Sequence, residues 1–367
     1  MAWDELAVAA IIIQRIKMFE GFELAGTGGV SAIEEMRVQS RDNEEHGLLE
    51  YLRSTRHYRA TDPRDRVYAL LGVVHPEDAA AMRPDYSIDP KELYKRVALY
   101  LIEDRKSLDV LGYVGFRGTL HGLPSWIPDW SAVVPEEYMA LADVSHGAYW
   151  LDQHKHPPVI DEIGYNSLVL EGKRIDAVMI TGKEMGTSPI GHDNSEASLS
   201  VYKDWESLAL SLDCYPANPD GDDVINAYWK TLIAGATENN EEVDADYGRH
   251  FINWYAKFGA GLLDTSGVPR IDSEVTNEEG VLIYGGCVFD ATVGRRLALT
   301  NKGFLGLFPA GSKDGDVIVL LSGAKFPSVV RLLSDGHLLL GECYVHGAWP
   351  DELMDDKSLR RERFQFK

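Results

Sequence analysis

From residue 283 to residue 345 the chain alternates short apolar segments with turn residues, a pattern that few folds accommodate. The dipeptides Asp314-Gly315 and Asp335-Gly336 favour tight turns, and the second separates two apolar runs as a hairpin turn does. The backbone groups at the edges of a sheet lack pairing partners, and a sheet of short strands that curls into a closed barrel removes those edges. The predicted strands are 283–289, 295–300, 303–308, 316–321, 327–333 and 337–345. We therefore expect a small antiparallel β-barrel, SH3-like or similar, in the C-terminal region.

The stretch TDPRDRVYALLG at 61–72 predicts a short helix far upstream of these strands. Asp62 is a suitable N-cap, Pro63 suits the first helical position, and Asp65 places a carboxylate in the first turn. Apolar residues follow at helical spacing, and Gly72 is a natural stop. We therefore expect a helix from Asp62 to Gly72 with one buried face.

Further helical patterns occupy most of the chain before the β-rich region. Asp89 and Pro90 suit the N-cap and the first position of another helix. Apolar and aromatic stripes at helical spacing predict buried helix faces within 201–212, 224–232 and 247–258. Helices are also predicted at 3–19 and 44–57, with a loose connection at 26–29 and a polar loop at 182–198.

One stretch between the helical patterns alternates as strands do. Residues 168–181 predict a strand pair with Gly172-Lys173 at the bend. The overall expectation is an α+β fold, with a mostly helical N-terminal half and the C-terminal barrel. The basic tail from Lys357 is expected to be solvated or to dock on an acidic surface. The predicted domains are a helical region at 1–135 that carries the DPRDRVYALLG signature, a mixed region at 136–275 with a strand pair and helices, and a β-rich barrel with the basic tail at 276–367.

Charge and cysteine content exclude several classes of function. The chain has 36 basic and 58 acidic residues, a formal charge of −22, which disfavours binding to nucleic acid or to an anionic membrane. Its three cysteines are far apart and lack metal-ligand spacing, which indicates a reducing compartment and neither a disulfide framework nor a zinc finger. The apolar run at 7–13 is too short to span a bilayer, and no signal peptide is evident. We expect a cytoplasmic protein.

Several short motifs resemble, in the same order, those of one protein family. They are DPRDRVYALLG at 62–72, PDYS at 84–87, LPSWIPDWS at 123–131, YWKTLI at 228–233, and a closing block of GRRL at 294–297, TNKGFLG at 300–306, GD at 315–316, Arg331 and GECYVHG at 341–347. Each motif alone is weak, whereas their shared order is specific. The chain resembles the fungal heterokaryon incompatibility proteins, in the portion that follows their HET domain.

The HET domain itself has no counterpart among these motifs. Family members carry S-Y-x-W-G and D-x-x-C-I-N-Q motifs in that TIR-like domain, and neither occurs here. The resemblance therefore implies the C-terminal portion of such a protein, without the activity of the HET domain. It implies a recognition or regulatory role in fungal nonself recognition and programmed cell death. The partner would be a protein, such as an allelic product, and no cofactor would be needed.

Two other possibilities remain open on the sequence alone: a different function, and no function. A stand-alone relative without the HET domain is a candidate small-molecule-binding protein or non-redox enzyme, for example a cyclase or isomerase of secondary metabolism, with an aromatic-lined pocket. The eight tryptophans of the chain permit such a pocket. A truncated or degenerate allele without activity is the remaining possibility.

The sequence contains no recognisable motif for catalysis or metal binding. Gly112, Gly115 and Gly118 lack the start of a dinucleotide fingerprint and a following helix, and no G-x-S-x-G elbow is present. His154-x-His156 is a close histidine pair, but no third ligand is indicated. We therefore expect no metal and no cofactor, and enzyme activity is left open.

The candidate ligand site combines residues of the two most specified motifs with one histidine. Carboxylates beside indoles have raised pKa values and suit acid–base chemistry, whereas a structural pairing of Arg64 with Asp129 is the competing explanation. His346 ends a predicted strand beside Cys343, either as a site residue or as a half-buried structural histidine. The candidate ligand-binding residues are Arg64, Asp65, Tyr68, Trp126, Asp129, Trp130 and His346.

Overall fold

The computed structural model describes residues 47–115, 120–132, 134, 139–144, 150–164, 166–186, 196–239, 241–244, 247–258 and 278–367. The helix predicted at 3–19, the connection at 26–29 and most of the loop predicted at 182–198 lie outside the described residues. The described chain forms two compact units. Unit 1 holds 47–105, 120–123, 129–132 and 134, and unit 2 holds 106–115, 124–128 and the described residues from 139 onward.

Unit 1 is helical. Its helices are α1 (Leu48–Ser54), α2 (Asp65–Tyr68), α3 (Pro76–Ala81) and α4 (Pro90–Glu103). α4 begins as predicted, because the Asp89 carboxylate accepts the Lys91 N–H and Pro90 fills the first position. Leu93 and Val97 are buried on its inner face. This confirms the capping signal.

The motif helix is shorter than predicted. Regular helix covers only α2, and the flanking residues form turns with i to i+3 hydrogen bonds, such as Asp65 N to Asp62 O (3.0 Å) and Leu70 N to Val67 O (3.1 Å). Gly72 does not adopt the left-handed conformation of a C′ glycine. The prediction of a regular helix from Asp62 to Gly72 is therefore wrong, because tight turns take up both ends of the segment. Of the three residues predicted for its apolar face, Val67 and Leu70 are buried and Leu71 is half-buried.

Unit 2 contains further helices and the described strands. Its helices are a 3-10 helix (Asp109–Tyr113), α5 (Leu141–Val144), α6 (Glu196–Ala209), α7 (Val224–Leu232), α8 (Gly248–Phe258), α9 (Glu278–Thr292) and α10 (Pro350–Asp355). The aromatic faces of α6, α7 and α8 pack into one core, as the stripes predict. Its fully buried side chains include Trp205, Trp229, Phe251, Trp254 and Tyr284. Within the described ranges, none of the helices combines the length and apolar character that crossing a bilayer requires.

α9 replaces the first predicted strand. Val281, Tyr284, Val288 and Ala291 are buried, and they recur at helical spacing. The prediction of a strand at 283–289 is therefore wrong. A short apolar run fits either period, and only the residues before and after it reveal the helix.

The strands of unit 2 form a connected sheet. They are β1 (Ile160–Ile163), β2 (Leu168–Glu184), β3 (Arg295–Thr300), β4 (Leu305–Pro309), β5 (Val317–Leu321), β6 (Ser328–Leu333), β7 (Gly336–Glu342), β8 (Tyr344–Val345) and β9 (Arg361–Phe366). β2 pairs with β5, β5 with β6, β6 with β7, β7 with β9 and β9 with β2, so these strands form a closed ring of pairings. β3, β4 and β8 continue the sheet from the other half of β2. The expected mixture of helices and a C-terminal sheet region is confirmed.

β2 is one strand of 17 residues, where the alternation predicts a strand pair. Gly172 lies inside it, opposite Leu321 of β5 and Glu362 of β9. A Cβ on Gly172 would lie 2.5 Å from the Leu320 carbonyl oxygen. The predicted bend at Gly172-Lys173 is therefore wrong, because the glycine permits a close approach of two backbones and does not mark a turn.

The basic tail contains the last strand of the ring. β9 pairs with residues Leu168 to Lys173 of β2, and Phe364 and Phe366 are buried. The expectation of a solvated tail is therefore wrong for 361–366, where these two aromatic residues alternate with polar ones and give the strand a core face. The predicted hairpin at Asp335-Gly336 is confirmed, since this turn joins β6 to β7.

Candidate functional site

His346 follows β8, and its side chain is buried in unit 2. Its Nε2 lies 2.9 Å from Asp222 Oδ2, and its Nδ1 lies 2.8 Å from the Tyr344 hydroxyl. Lys230 of α7 places its Nζ 3.0 Å and 2.8 Å from the two carboxylate oxygens of Asp222. We call Asp222, Lys230, Tyr344 and His346 the His346 cluster.

The loop before α7 positions the carboxylate of this cluster. The Asn218 side-chain oxygen accepts the Asp222 N–H at 3.1 Å, and the next residue, Asp223, caps α7 through the Asn226 N–H. Tyr215 donates its hydroxyl to the His346 carbonyl at 3.0 Å and accepts the Leu305 N–H at 3.1 Å. The loop is therefore attached both to β4 and to the chain after β8.

The strand side of the cluster is equally constrained. His346 N–H donates to the Leu305 carbonyl at 2.9 Å, which holds the backbone that carries the imidazole. Gly235, just after α7, has φ +72°, and a Cβ there would lie 2.7 Å from the Tyr344 hydroxyl. A residue with a side chain would therefore displace Tyr344 from the histidine.

Burial and hydrogen bonding have opposite effects on the protonation of the Asp222 carboxyl group. Burial favours the neutral acid, but the hydrogen bonds from His346 and Lys230 outweigh it and lower the carboxyl pKa. The carboxylate therefore stays ionised, and both imidazole nitrogens of His346 have partners. These two hydrogen bonds fix the orientation of the imidazole ring.

Asp220 adds a third possible ligand group beside the cluster. Asp220, Asp222 and His346 each offer a ligand atom within 4.8 Å of the others. The Asp222 carboxylate is, however, already neutralised by Lys230 at 2.8 Å. A divalent cation would have to displace this ammonium, so the arrangement favours an ion pair over a metal centre.

The predicted site residues near the first motif lie in unit 1. Arg64 forms an ion pair with Asp62 at 2.7 Å and donates to the carbonyl oxygens of Tyr86 and Ile88. The Tyr86 hydroxyl in turn donates to Asp65 at 2.6 Å. A further contact joins the Tyr68 hydroxyl to the Asp85 carbonyl at 3.1 Å. The segments DPRDRVYALLG and PDYS therefore bind each other.

The remaining predicted residues divide between the units. Asp129 in unit 1 accepts from the Ser131 N–H (3.0 Å) and hydroxyl (2.5 Å) and so caps its own turn. The explanation that pairs Arg64 with Asp129 is wrong, because Arg64 pairs with Asp62. Trp130, also in unit 1, lies under the Arg56 guanidinium at 5.3 Å. Trp126 belongs to unit 2, as does His346, and is fully buried. Ligand binding by the seven candidate residues stays a prediction.

Sequence reasoning selected His346 but missed Asp222, Lys230 and Tyr344. One signal was available: residues 213–246 contain nine acidic residues and Lys230 as the sole lysine or arginine. A lone base in such a stretch indicates a specific carboxylate partner. Its connection with His346 was not visible, because Asp222 and His346 are 124 positions apart.

The class of protein follows from comparison with known families. The family described as Het-6 beta-barrel domain matches residues 273–366. This segment contains α9 and the strands from β3 to β9, together with the histidine and tyrosine of the His346 cluster. β2, which closes the ring of pairings, lies outside the matched segment.

A relative of known name is similar over most of the chain. "Heterokaryon incompatibility protein 6, OR allele" of Neurospora crassa is 23% identical over 373 residues, which cover 88% of this chain and 53% of the relative. The chain thus spans about half the length of that relative. No solved structure matches the chain. Together the two findings support a protein of the fungal heterokaryon incompatibility family, which confirms the resemblance carried by the motifs.

Proposed function

We propose that this chain is the C-terminal recognition or regulatory region of a heterokaryon-incompatibility-like protein, with a role in fungal nonself recognition and programmed cell death. The observation that carries the proposal is the similarity to a heterokaryon incompatibility protein over 88% of this chain. That relative is named as the product of one allele. An allelic product is therefore the first protein partner to test.

The internal contacts of the motifs support a binding scaffold. In unit 1, Arg64 of one motif binds the Tyr86 carbonyl of another. In unit 2, Lys230 of YWKTLI and His346 of GECYVHG share the Asp222 carboxylate. These motif residues are engaged in holding the fold together. Contacts that distinguish one partner from another would then come from exposed loop residues outside the motifs.

We also propose a barrel architecture, domain bounds and a cellular location for this region. We take the ring of β2, β5, β6, β7 and β9 as the small barrel of this region, of an SH3-like or related kind. The proposed domains are 1–135, 136–275 and 276–367, with β2 supplied to the ring by the middle domain. A cytoplasmic location agrees with three free cysteines, two of which are buried.

The alternative of a small-molecule site with an aromatic-lined pocket has less support. Trp126, Trp130, Trp205, Trp229 and Trp254 are each at most 2% exposed. Tryptophans packed in this way fill cores and do not line an open pocket.

An allele exchange in a fungus that carries this gene tests the proposal. The coding region is replaced by that of an incompatible strain, and the viability of fused cells is scored with a vital dye. We expect the exchange to convert an incompatible pairing into a compatible one. A replacement with synonymous codons is the control. Unchanged viability in every pairing, after exchange and after deletion, would contradict the proposed role.

Binding measurements with the purified full chain separate the two classes of partner. A partner that binds the native state raises the melting temperature by mass action. We expect the allelic product to raise it in a concentration-dependent way. A rise produced by members of a small-molecule panel, and not by the allelic product, would favour the alternative.

A further inference from the structure

Glu342 is the last residue of β7 and brings a carboxyl group into the interior of unit 2. Its Oε2 is buried and has no hydrogen-bond partner among the described residues. The carboxyl lies against the 3-10 helix at Gly112, where a Cβ would be 2.7 Å from Oε1 and 2.9 Å from the carboxyl carbon. The absence of a side chain at Gly112 therefore allows β7 and the 3-10 helix to meet through this carboxyl.

Charged groups from several elements surround the carboxyl. Asp109 of the 3-10 helix and Asp143 of α5 contribute negative charge, and Lys325 and Arg295 contribute positive charge. Lys325 pairs with Asp109 at 2.9 Å and lies 4.6 Å from the centre of the Trp150 ring. Arg295 donates to the backbone carbonyls of Ala291 (2.9 Å) and Met139 (2.6 Å). Both cations are thus engaged elsewhere.

An ionised carboxylate in this position is costly. A buried charge needs a partner or hydrogen bonds, and Oε2 has neither among the described residues. Burial, and then the negative charges of Asp143 and Asp109, raise the pKa of Glu342 to about 8, against an opposing effect of Arg295 and Lys325. The group is therefore mostly neutral at pH 7, and a small rise in pH ionises it.

We propose that the Glu342 carboxyl is a proton-dependent latch, which holds β7 against the 3-10 helix while it is protonated and weakens that contact when it ionises. This inference does not rest on the proposed function. It concerns a regulatory device in the fold, and no residue of the His346 cluster needs to be catalytic for it to operate.

The contacts on either side of the latch show what its opening would affect. On one side, the 3-10 helix is linked to α5 by the Tyr113 hydroxyl, 3.1 Å from Asp143, and to the chain after β5 by the Asp109–Lys325 pair. On the other side, Tyr344 of the His346 cluster lies two residues beyond Glu342. Ionisation of Glu342 therefore loosens the 3-10 helix directly and reaches the His346 cluster through the same chain segment.

Nuclear magnetic resonance tests the central claim directly in the full-length wild-type chain. The carbon-13 signal of the Glu342 side-chain carboxyl is followed between pH 4 and pH 9.5 and assigned by its loss in Glu342→Gln. We expect the midpoint of this titration at a pH of about 8, the raised pKa of the buried carboxyl. A midpoint near the ordinary value of 4.5 would overturn the proposal, because the latch would then be ionised throughout the physiological range.

Amide hydrogen exchange tests the opening itself. Exchange at residues 109–113 and 342–345 is compared between the wild type and Glu342→Gln at each pH, which cancels the intrinsic dependence of exchange on hydroxide. We expect the wild type to exchange faster than Glu342→Gln above pH 8 and equally at pH 6. Glu352→Gln, an exposed carboxyl change on α10, is the matched control and should follow the wild type. Identical exchange in wild type and Glu342→Gln at pH 9 would overturn the proposal.

Discussion

Arg331 of β6 donates to both carboxylate oxygens of Asp316, from Nε to Oδ1 at 2.8 Å and from Nη2 to Oδ2 at 2.8 Å. Asp316 has a side chain only 4% exposed, and it also accepts the Lys313 N–H at 2.7 Å. The pair therefore joins the turn before β5 to the neighbouring strand. The carboxylate raises the pKa of the Arg331 guanidinium, mainly through its hydrogen bond. The GD dipeptide at 315–316 and Arg331, two separate motifs of the closing block, thus bind each other.

Removal of this carboxylate should destabilise the ring. Asp316→Ala leaves Arg331 without its counter-charge, and we expect a loss of about 3 kcal/mol in the free energy of unfolding. Glu362→Gln is the control, because Glu362 and Arg174 are both over 40% exposed and 3.7 Å apart. That change should cost less than about 1 kcal/mol. Urea unfolding at pH 7 measures both, and equal losses would contradict a special role for the buried pair.

The His346 cluster should confer stability that is lost in acid. Since the folded state lowers the pKa of Asp222, its stabilising contribution is complete above the ordinary value of 3.8 and disappears as pH falls through the lowered value. Asp222→Asn should reduce stability at pH 7 by about 2 kcal/mol and abolish this acid-dependent component. Asp220→Asn, an exposed neighbour, should retain it. Urea midpoints between pH 3 and pH 7 provide the comparison, and parallel curves for wild type and Asp222→Asn would refute the expectation.

Glu342 should produce the opposite dependence on pH. A carboxyl whose folded pKa is raised binds a proton more tightly in the folded state, so stability decreases as pH rises from 4.5 to about 8. We expect Glu342→Gln to unfold at a higher temperature than wild type at pH 8.5, with a smaller advantage at pH 5. Thermal scans in buffers of matched ionisation enthalpy test this. A variant less stable than wild type by the same amount at both pH values would show that Glu342 is ionised and paired.

Gly112 and Glu342 should be energetically coupled. Gly112→Ala introduces a Cβ about 2.7 Å from Glu342 Oε1, and we expect a cost of about 1–3 kcal/mol from overpacking. In the background of Glu342→Ala the carboxyl is absent, so the same change should cost less. A double-mutant cycle by urea unfolding measures the coupling, and additive effects would show that the two residues do not share this contact.

Gly172 should tolerate no side chain. Gly172→Ala places a Cβ against the Leu320 carbonyl at 2.5 Å, and separation of β2 from β5 should cost about 2 kcal/mol or more. Gly286→Ala in α9 is the control, because no atom lies within 4 Å of the added Cβ. That exposed helical change should stabilise by about 0.5–1 kcal/mol. Thermal unfolding of both variants is sufficient, and a neutral Gly172→Ala would contradict the close approach.

Signals between neighbouring residues made much of the fold predictable. Asp89 and Pro90 define the start of α4, and Asp335-Gly336 defines a hairpin, because capping and turn chemistry act over a few residues. β9 was not predictable in the same way. Arg361 and Glu171, which form an ion pair across β9 and β2, are 190 positions apart, and the segment around Arg361 carries mostly charge. A segment of this composition adopts strand structure only when it pairs with a neighbouring strand.

The candidate site was predictable only in part for the same reason. His346 has a recognisable place at the end of a strand, whereas Asp222 lies in a loop that resembles many acidic loops. The importance of Asp222 arises from two donors, Lys230 and His346, that the fold brings to it. Glu342 is a second example. Its burial beside Gly112 changes the protonation of its carboxyl group, and no pattern in the neighbouring sequence predicts that burial.

The place of β9 in the ring has a consequence for biosynthesis. β2 and β7 are both synthesised before β9, so a chain without β9 carries two unpaired strand edges of the kind that recruit neighbouring chains. Insertion of β9 must join segments about 190 positions apart, and contacts between such distant segments form slowly. A premature stop codon before residue 361 would leave both edges permanently open. Such alleles would be expected to yield aggregates that cellular chaperones and proteases must clear, even though most of the chain had been translated.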